Sequence, residues 1–290
     1  MNDPATLVAE LISLLDVETL DTDLYRGRRR LDGVGRVFGG EVIAQALAAA
    51  QRSVDEDRVA HSLHAYFMRP GSEAHPTIYR VERDHDGGSF STRRVIAIQQ
   101  GQPILNMAAS FQKVQPGLSY QSDMPDVPPP ESLKTESELR ALFTDKIPEK
   151  FRDNFLRDRP IEYRPLDPRD WFGGNKRVPA TQNVWFRTVA PVGDDPAVHR
   201  AILAYASDSY LLSTSTLPHG VNWMTPGMQS ASLDHALWLH DDFRVNDWML
   251  YTCDSPWSGR SRGFNRGSIY TRDGRLVASA AQEGLVRMRS

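Results

Sequence analysis

The sequence predicts an α+β protein in which a single apolar helix followed by several strands occurs twice. Three observations lead there. Residues 39–52 and about 198–212 are apolar stretches of helical composition. Each is followed by runs that alternate or cluster β-branched and aromatic residues. Short matches also recur at nearly one offset: His64-Ala65-Tyr66-Phe67 with His235-Ala236-Leu237-Trp238, and Ile104-Leu105 with Leu276-Val277. One buried helix with a run of strands fits an antiparallel sheet covered on one face by that helix. Doubled in tandem, with each sheet wrapped around its helix, the pattern is a double hotdog.

Taken in order, Leu7, Leu11, Leu14 and Leu15 recur at helical spacing and predict an amphipathic N-terminal helix. Strands follow the first apolar helix near 60–68, 77–84, 91–99 and 104–114. The stretch 116–160 is rich in proline and polar residues, with Pro128, Pro129 and Pro130 favouring extended chain. It reads as a linker with some helix at 136–143. The second helix precedes strands near 230–239, 248–255, 263–271 and 275–288. The expected organisation is an N-terminal domain over 1–115, the linker over 116–160 and a C-terminal domain over 161–290.

Composition narrows the function. The formal net charge of −3 gives no reason to expect a nucleic acid or an acidic membrane as partner. With Cys253 as the single cysteine, no disulfide can close within the chain and no cysteine cluster can hold a metal. No apolar run reaches the roughly 20 residues of a membrane span. Residues 2–20 lack the basic start of a signal peptide, so the expected location is cytoplasmic.

Four polar residues stand out. Asp208 is the only charge in the apolar run 201–218, where a carboxylate costs several kcal/mol unless it is paired. That makes it the leading candidate general base, with a helix-end cap as the alternative. Gln282 is the lone polar side chain on one face of the last strand, among Ala278, Ala280, Gly284 and Val286. It either makes a structural hydrogen bond or holds a water or carbonyl oxygen. Ser232 begins a strand whose faces alternation does not distinguish. Glu41, just after Gly39-Gly40, is a rival acid, or simply an acid favoured by the helix dipole.

Other groupings fall away. Asp234 and His235 are adjacent on a strand and point to opposite faces, so they do not form a triad with Ser232. Gly259-Arg260-Ser261-Arg262-Gly263 matches the G-x-S-x-G pattern, but a strand follows it instead of the required helix. Cys253 reads as a core residue.

The chain resembles acyl-CoA thioesterase II, a double-hotdog family. The resemblance rests on Arg36-Val37-Phe38-Gly39-Gly40, on His61-Ser62-Leu63-His64-Ala65-Tyr66-Phe67-Met68-Arg69-Pro70-Gly71, and on Ala204-Tyr205-Ala206-Ser207-Asp208. It rests also on Ser232-Leu233-Asp234-His235-Ala236-Leu237-Trp238, Ser261-Arg262-Gly263-Phe264 and Ala281-Gln282-Glu283-Gly284. The segments are collinear over roughly 25–288, the linker excepted. The resemblance implies hydrolysis of fatty acyl-CoA by a water that Asp208, Ser232 and Gln282 hold and activate. It brings Gly39, Gly40, His64 and Arg262 forward as substrate-binding candidates. It implies no metal and no cofactor, and a homo-oligomer. Bacterial members often have threonine at the position of Ser232, and glutamine often stands where this chain has Glu41.

Two rival readings are a hotdog enoyl-CoA hydratase and a non-catalytic acyl-CoA binding module. A hydratase would need an Asp/His pair after the helix, for which no clear equivalent lies near Asp208. Aligning the halves puts Ser110 opposite Gln282 and Ala48 opposite Asp208. The first half thus lacks acid and amide, which predicts one hydrolytic site per chain, in the second half.

Overall fold

The computed structural model describes residues 3–30, 35–147, 149–168 and 176–289. Helix α1 (Pro4–Leu15) starts at Asp3, whose carboxylate accepts from the Thr6 N–H. It buries Leu7, Leu11, Leu14 and Leu15, the stripe expected from their spacing. Strands β1 (Val17–Asp21) and β2 (Leu24–Gly27) precede α2 (Gly39–Gln51). Strands β3 (Arg58–Phe67), β4 (Ile78–Asp86), β5 (Phe90–Gln99) and β6 (Gln102–Lys113) complete the first half.

After two short helices, α3 (Glu136–Ala141) and α4 (Glu149–Leu156), the pattern returns. It runs through β7 (Ile161–Pro165), β8 (Thr181–Thr188), α5 (Pro196–Ser207), β9 (Met228–Ser232), β10 (Asp234–Leu239), β11 (Met249–Gly259), β12 (Arg262–Thr271) and β13 (Leu276–Met288).

The 13 strands among the described residues form one antiparallel sheet in the order β1-β2-β4-β5-β6-β3-β10-β13-β12-β11-β8-β7, with β9 on β13. The halves join where β3 pairs with β10, Ala65 opposite His235 and Leu63 opposite Leu237. The two apolar helices pack on each other, α2 against β3–β6 and α5 against β3 and β10. Their side chains and the inner faces of both halves make one continuous apolar core. The architecture is a double hotdog, with the two curved sheets continuous through β3 and β10.

Two expectations need correction. Helix α5 stops at Ser207 instead of running to 212. Tyr210, two residues past the cap, sits at φ 66°, a left-handed conformation no helix continues through. The strand expected over 230–239 is two strands. Leu233 breaks it, donating to the Glu283 carbonyl and accepting from the Phe67 N–H. The G-x-S-x-G segment is the β11–β12 hairpin, with Arg260 and Ser261 both at positive φ and Gly259 paired to Arg262.

The proline-rich segment does more than connect. It lies over the outer face of the second half, where Met124, Val127 and Leu133 pack on a small cluster of Trp185, Trp248 and Leu250. The Pro128 carbonyl accepts from the Trp185 indole, and Arg164 donates to the Pro130 carbonyl. Further on, α3 opens with a capping box between Thr135 and Glu138.

Candidate active site

Asp208 is the C-cap of α5. That end of a helix carries partial negative charge and disfavours an acid. The cost is offset from across the helix pair, because the carboxylate lies against the N-terminus of α2. There the Gly40 N–H donates to Oδ2 at 2.9 Å, a charge-assisted bond at the end of a helix that favours anions. The approach requires glycine. A Cβ on Gly39 would lie 2.8 Å from the Asp208 carboxylate, and one on Gly40 would lie 2.4 Å from the Tyr205 carbonyl.

The other carboxylate oxygen faces the sheet. Gln282 Nε2 donates to Oδ1 at 2.6 Å and lies 3.1 Å from the Ser232 hydroxyl and 3.2 Å from His235 Nδ1. Gln282 is 1% exposed, on the inner face of β13 as its alternation predicted. Its Oε1 is buried with no hydrogen-bond donor among the described residues. Ser232 ends β9, paired across to Gly284. Asp208, Ser232 and Gln282 thus meet at one point, contributed by a helix end, a strand end and a strand interior.

The turn carrying Asp208 is pinned from several sides. The Tyr251 hydroxyl donates to the Ser207 carbonyl at 2.9 Å. Gln182 donates to the Tyr210 carbonyl and to the Thr214 hydroxyl, stabilising the left-handed residue that follows. Behind Gln282, His235 is fully buried between Asp208 Oδ1 at 3.9 Å and the Ser207 hydroxyl at 2.9 Å. Burial pushes its imidazole toward the neutral form, against the pull of Asp208 and Asp234.

A cavity of about 980 Å³ opens beside these residues and is lined by Gly39, Asp208 and Ser232. Leu212, Leu217, Val221 and Trp223 give it apolar wall, and Arg140, Arg159 and Lys176 bring cations to it. Arg140 is ion-paired to Glu136 at 2.6 Å.

The remaining sequence candidates lie apart from this meeting point. His64 points to the outer face of β3, exposed, with its ring edge-on to Trp238 at 5.0 Å. Arg262 is on the surface, paired with Glu283 at 3.0 Å. Neither lines the cavity. Gly40 serves Asp208, and of the glycine pair only Gly39 lines the cavity. Glu41 is 5% exposed, and burial raises its pKa to about 7, with Arg30 opposing and Glu73 adding to the rise. Burial likewise pushes the Cys253 thiol up, which suits an inert core residue.

Sequence reasoning set His235 aside as a triad member and passed over Ser207 and Tyr251. For His235 a signal existed: Leu237 and Leu239 share its parity on β10, so the strand period places it inside. Ser207 and Tyr251 carried no comparable signal, because both act through a neighbour far away in sequence.

The fold defines the class, a double-hotdog protein. Models of an acyl-CoA thioesterase N-terminal domain and of an acyl-CoA thioesterase match residues 28–112 and 150–285. Acyl-coenzyme A thioesterase 8 of Homo sapiens is 40% identical over 295 residues, covering 99% of this chain and 92% of the relative. Acyl-CoA thioesterase 2 of Haemophilus influenzae is 38% identical over 281 residues, covering 97% and 98%. The crystal structure of an acyl-CoA thioesterase II, TesB2, from Mycobacterium marinum superposes with a TM-score of 0.77 at 40% identity, covering 96% of this chain and 98% of that one. The chain belongs to the acyl-CoA thioesterase family, a family of thioester hydrolases. No helix among the described residues is long and apolar enough to cross a membrane.

Proposed function

We propose that this chain hydrolyses fatty acyl-CoA to the free acid and coenzyme A by direct attack of a water held by Asp208, Ser232 and Gln282. The observation that carries the reading is the convergence of these three polar side chains, from three separate elements, beside a large cavity. Family membership supports the reaction class. The cavity supports the substrate class: its apolar walls suit an acyl chain, and Arg140, Arg159 and Lys176 suit the phosphates of coenzyme A.

The chemistry follows from the groups. A thioester carbonyl is more electrophilic than an ester carbonyl, because sulfur donates poorly into it. Asp208 Oδ1 accepts a proton from the attacking water, a contribution of about 10²- to 10⁴-fold. Oδ2 stays committed to the Gly40 N–H, so the carboxylate cannot swing away. The Ser232 hydroxyl and the Gln282 amide fix the water. The N-terminus of α2, whose Gly40 N–H stays with Asp208, offers its positive dipole end to the developing oxyanion. Collapse of the tetrahedral intermediate expels the coenzyme A thiolate, which takes up a proton.

A single turnover in ¹⁸O-labelled water tests the reading, with free thiol and acid isotopic content as readouts. Direct attack puts one labelled oxygen in each acid released. Unlabelled acid from the first turnover would mean that a protein carboxylate attacks first. No thiol release from any acyl-CoA of a chain-length series would reduce the protein to a binding module.

A further inference from the structure

The hydrogen bonds behind Gln282 run in one direction. The Ala204 carbonyl can only accept, and the Ser207 hydroxyl donates to it at 2.9 Å. With its proton committed there, Ser207 Oγ can only accept from His235 Nε2, 2.9 Å away. The imidazole therefore carries its proton on Nε2 and presents a lone pair at Nδ1. That lone pair faces Gln282 Nε2 at 3.2 Å. From the other side Asp208 Oδ1, a carboxylate oxygen that can only accept, faces the same nitrogen at 2.6 Å. Both ends of the chain demand the amide NH₂ at this place and leave Oε1 of Gln282 without a protein donor among the described residues. Ser207 and His235 are both fully buried, so solvent cannot substitute for either bond.

We propose that His235 is a positioning residue for the hydrolysis. Held by Ser207 as the Nε2–H tautomer, it fixes the Gln282 amide with NH₂ toward Asp208, so that the carboxylate is held on its second oxygen as Gly40 holds it on the first. The inference rests on the reading that Asp208 and Gln282 hold the attacking water. It adds the reason the geometry works. A carboxylate fixed by the Gly40 N–H on one side and the Gln282 NH₂ on the other keeps a constant orientation toward the water whose proton it takes. With the amide turned over, its oxygen would face both the carboxylate and the imidazole lone pair, and Asp208 would lose the donor on Oδ1.

The test compares His235→Asn with His235→Leu, and adds Ser207→Ala and Asp208→Asn. The asparagine oxygen stands near the place of Nδ1 and preserves an acceptor, whereas leucine fills similar space without one. The loss of one positioning bond predicts a kcat about tenfold lower or less for His235→Leu, with KM within about twofold. His235→Asn recovers most of that loss, and Ser207→Ala shows an intermediate one. Nitrogen-15 NMR of the unmutated protein finds the His235 proton on Nε2, a measurement that stands even where a variant fails to fold. A proton on Nδ1, a folded His235→Leu with unchanged kcat, or an asparagine variant no better than the leucine one overturns the proposal. Activity retained in Asp208→Asn would instead sink the underlying catalytic reading. An inactive Asp208→Asn beside a fully active His235→Leu would sink the positioning role alone.

Discussion

The two halves of the molecule are built on one plan and diverge at the ends of their central helices. Helix α2 ends at Gln51, and its C-cap Arg52 reaches out to Asp16 in a surface ion pair of 2.6 Å. A cation at that end is what the helix dipole favours. Helix α5 ends at Ser207, and its C-cap is an acid turned inward, with its side chain 5% exposed. The sheet follows suit. The inner face of β6 carries Ala109 and Phe111, and the inner face of β13 carries Gln282 among alanines. One half follows the rules of helix stability. The other departs from them at one point and supplies compensation from the α2 N-terminus and from Gln282. A local cost held in place by its surroundings is the mark of a site under functional demand.

The largest effect expected from this contrast is in the acid. Asp208→Asn keeps the fold, by circular dichroism and thermal melting, and lowers kcat/KM by about 10²- to 10⁴-fold. Arg52→Ala, the matching change in the other half, leaves kcat/KM within about twofold and costs at most about 1 kcal/mol, as for an exposed ion pair. Gln282→Ala follows, with kcat lower by about tenfold or more. Ser110→Ala, which removes a hydroxyl bonded to His61 in the first half, leaves turnover unchanged.

Gly40→Ala is expected to act on stability and activity together. The new methyl must displace the Tyr205 carbonyl, a clash of about 1–3 kcal/mol, and Asp208 moves with it. Denaturant melts and turnover measured on one preparation check both. A neutral Gly40→Ala would show that the close approach of the helices is not needed.

A smaller, pH-dependent effect belongs to Glu41. Its folded pKa of about 7 lies above its ordinary 4.5, so the folded state binds more protons between these values. Stability therefore falls as pH rises from about 4.5 to about 7, by about 3 kcal/mol, and then levels off. Glu41→Gln removes this slope and is the more stable protein at pH 8. Parallel slopes in urea titrations of the two proteins would place the acid outside the core's electrostatics.

Much of this was legible beforehand. Asp208 and Gln282 stood out because each is a lone polar group in an apolar pattern, and the two helices and eight main strands followed from composition and period. What failed did so for tertiary reasons. The end of α5 was hidden because Tyr210 is held left-handed by Gln182, some 28 residues away. Strand β8 carried no expectation, because Val184, Trp185 and Phe186 are all buried and alternation vanishes. The linker covers the face that would otherwise have been polar. The repeat slipped by one residue. His64 points outward and His235 inward, and Ser110 faces away from the side that holds Gln282 in the other half. In a strand a slip of one inverts every side chain. The true counterpart of Gln282 is therefore an apolar neighbour of Ser110, and at the helix ends Arg52 replaces Ala48 as the counterpart of Asp208. The contrast between the halves survives the correction, since neither replacement supplies an acid or an amide.

The central claim is that the halves share a fold and that only one of them holds a hydrolytic site. Calorimetric titration of the intact protein with a thioether analogue of acyl-CoA, which cannot be hydrolysed, counts sites directly. The account predicts one analogue bound per chain, with binding weakened by changes at the cavity residues of the second half. Two equivalent sites per chain would contradict it, and would mean that the first half binds substrate with residues its helix and sheet were not expected to offer.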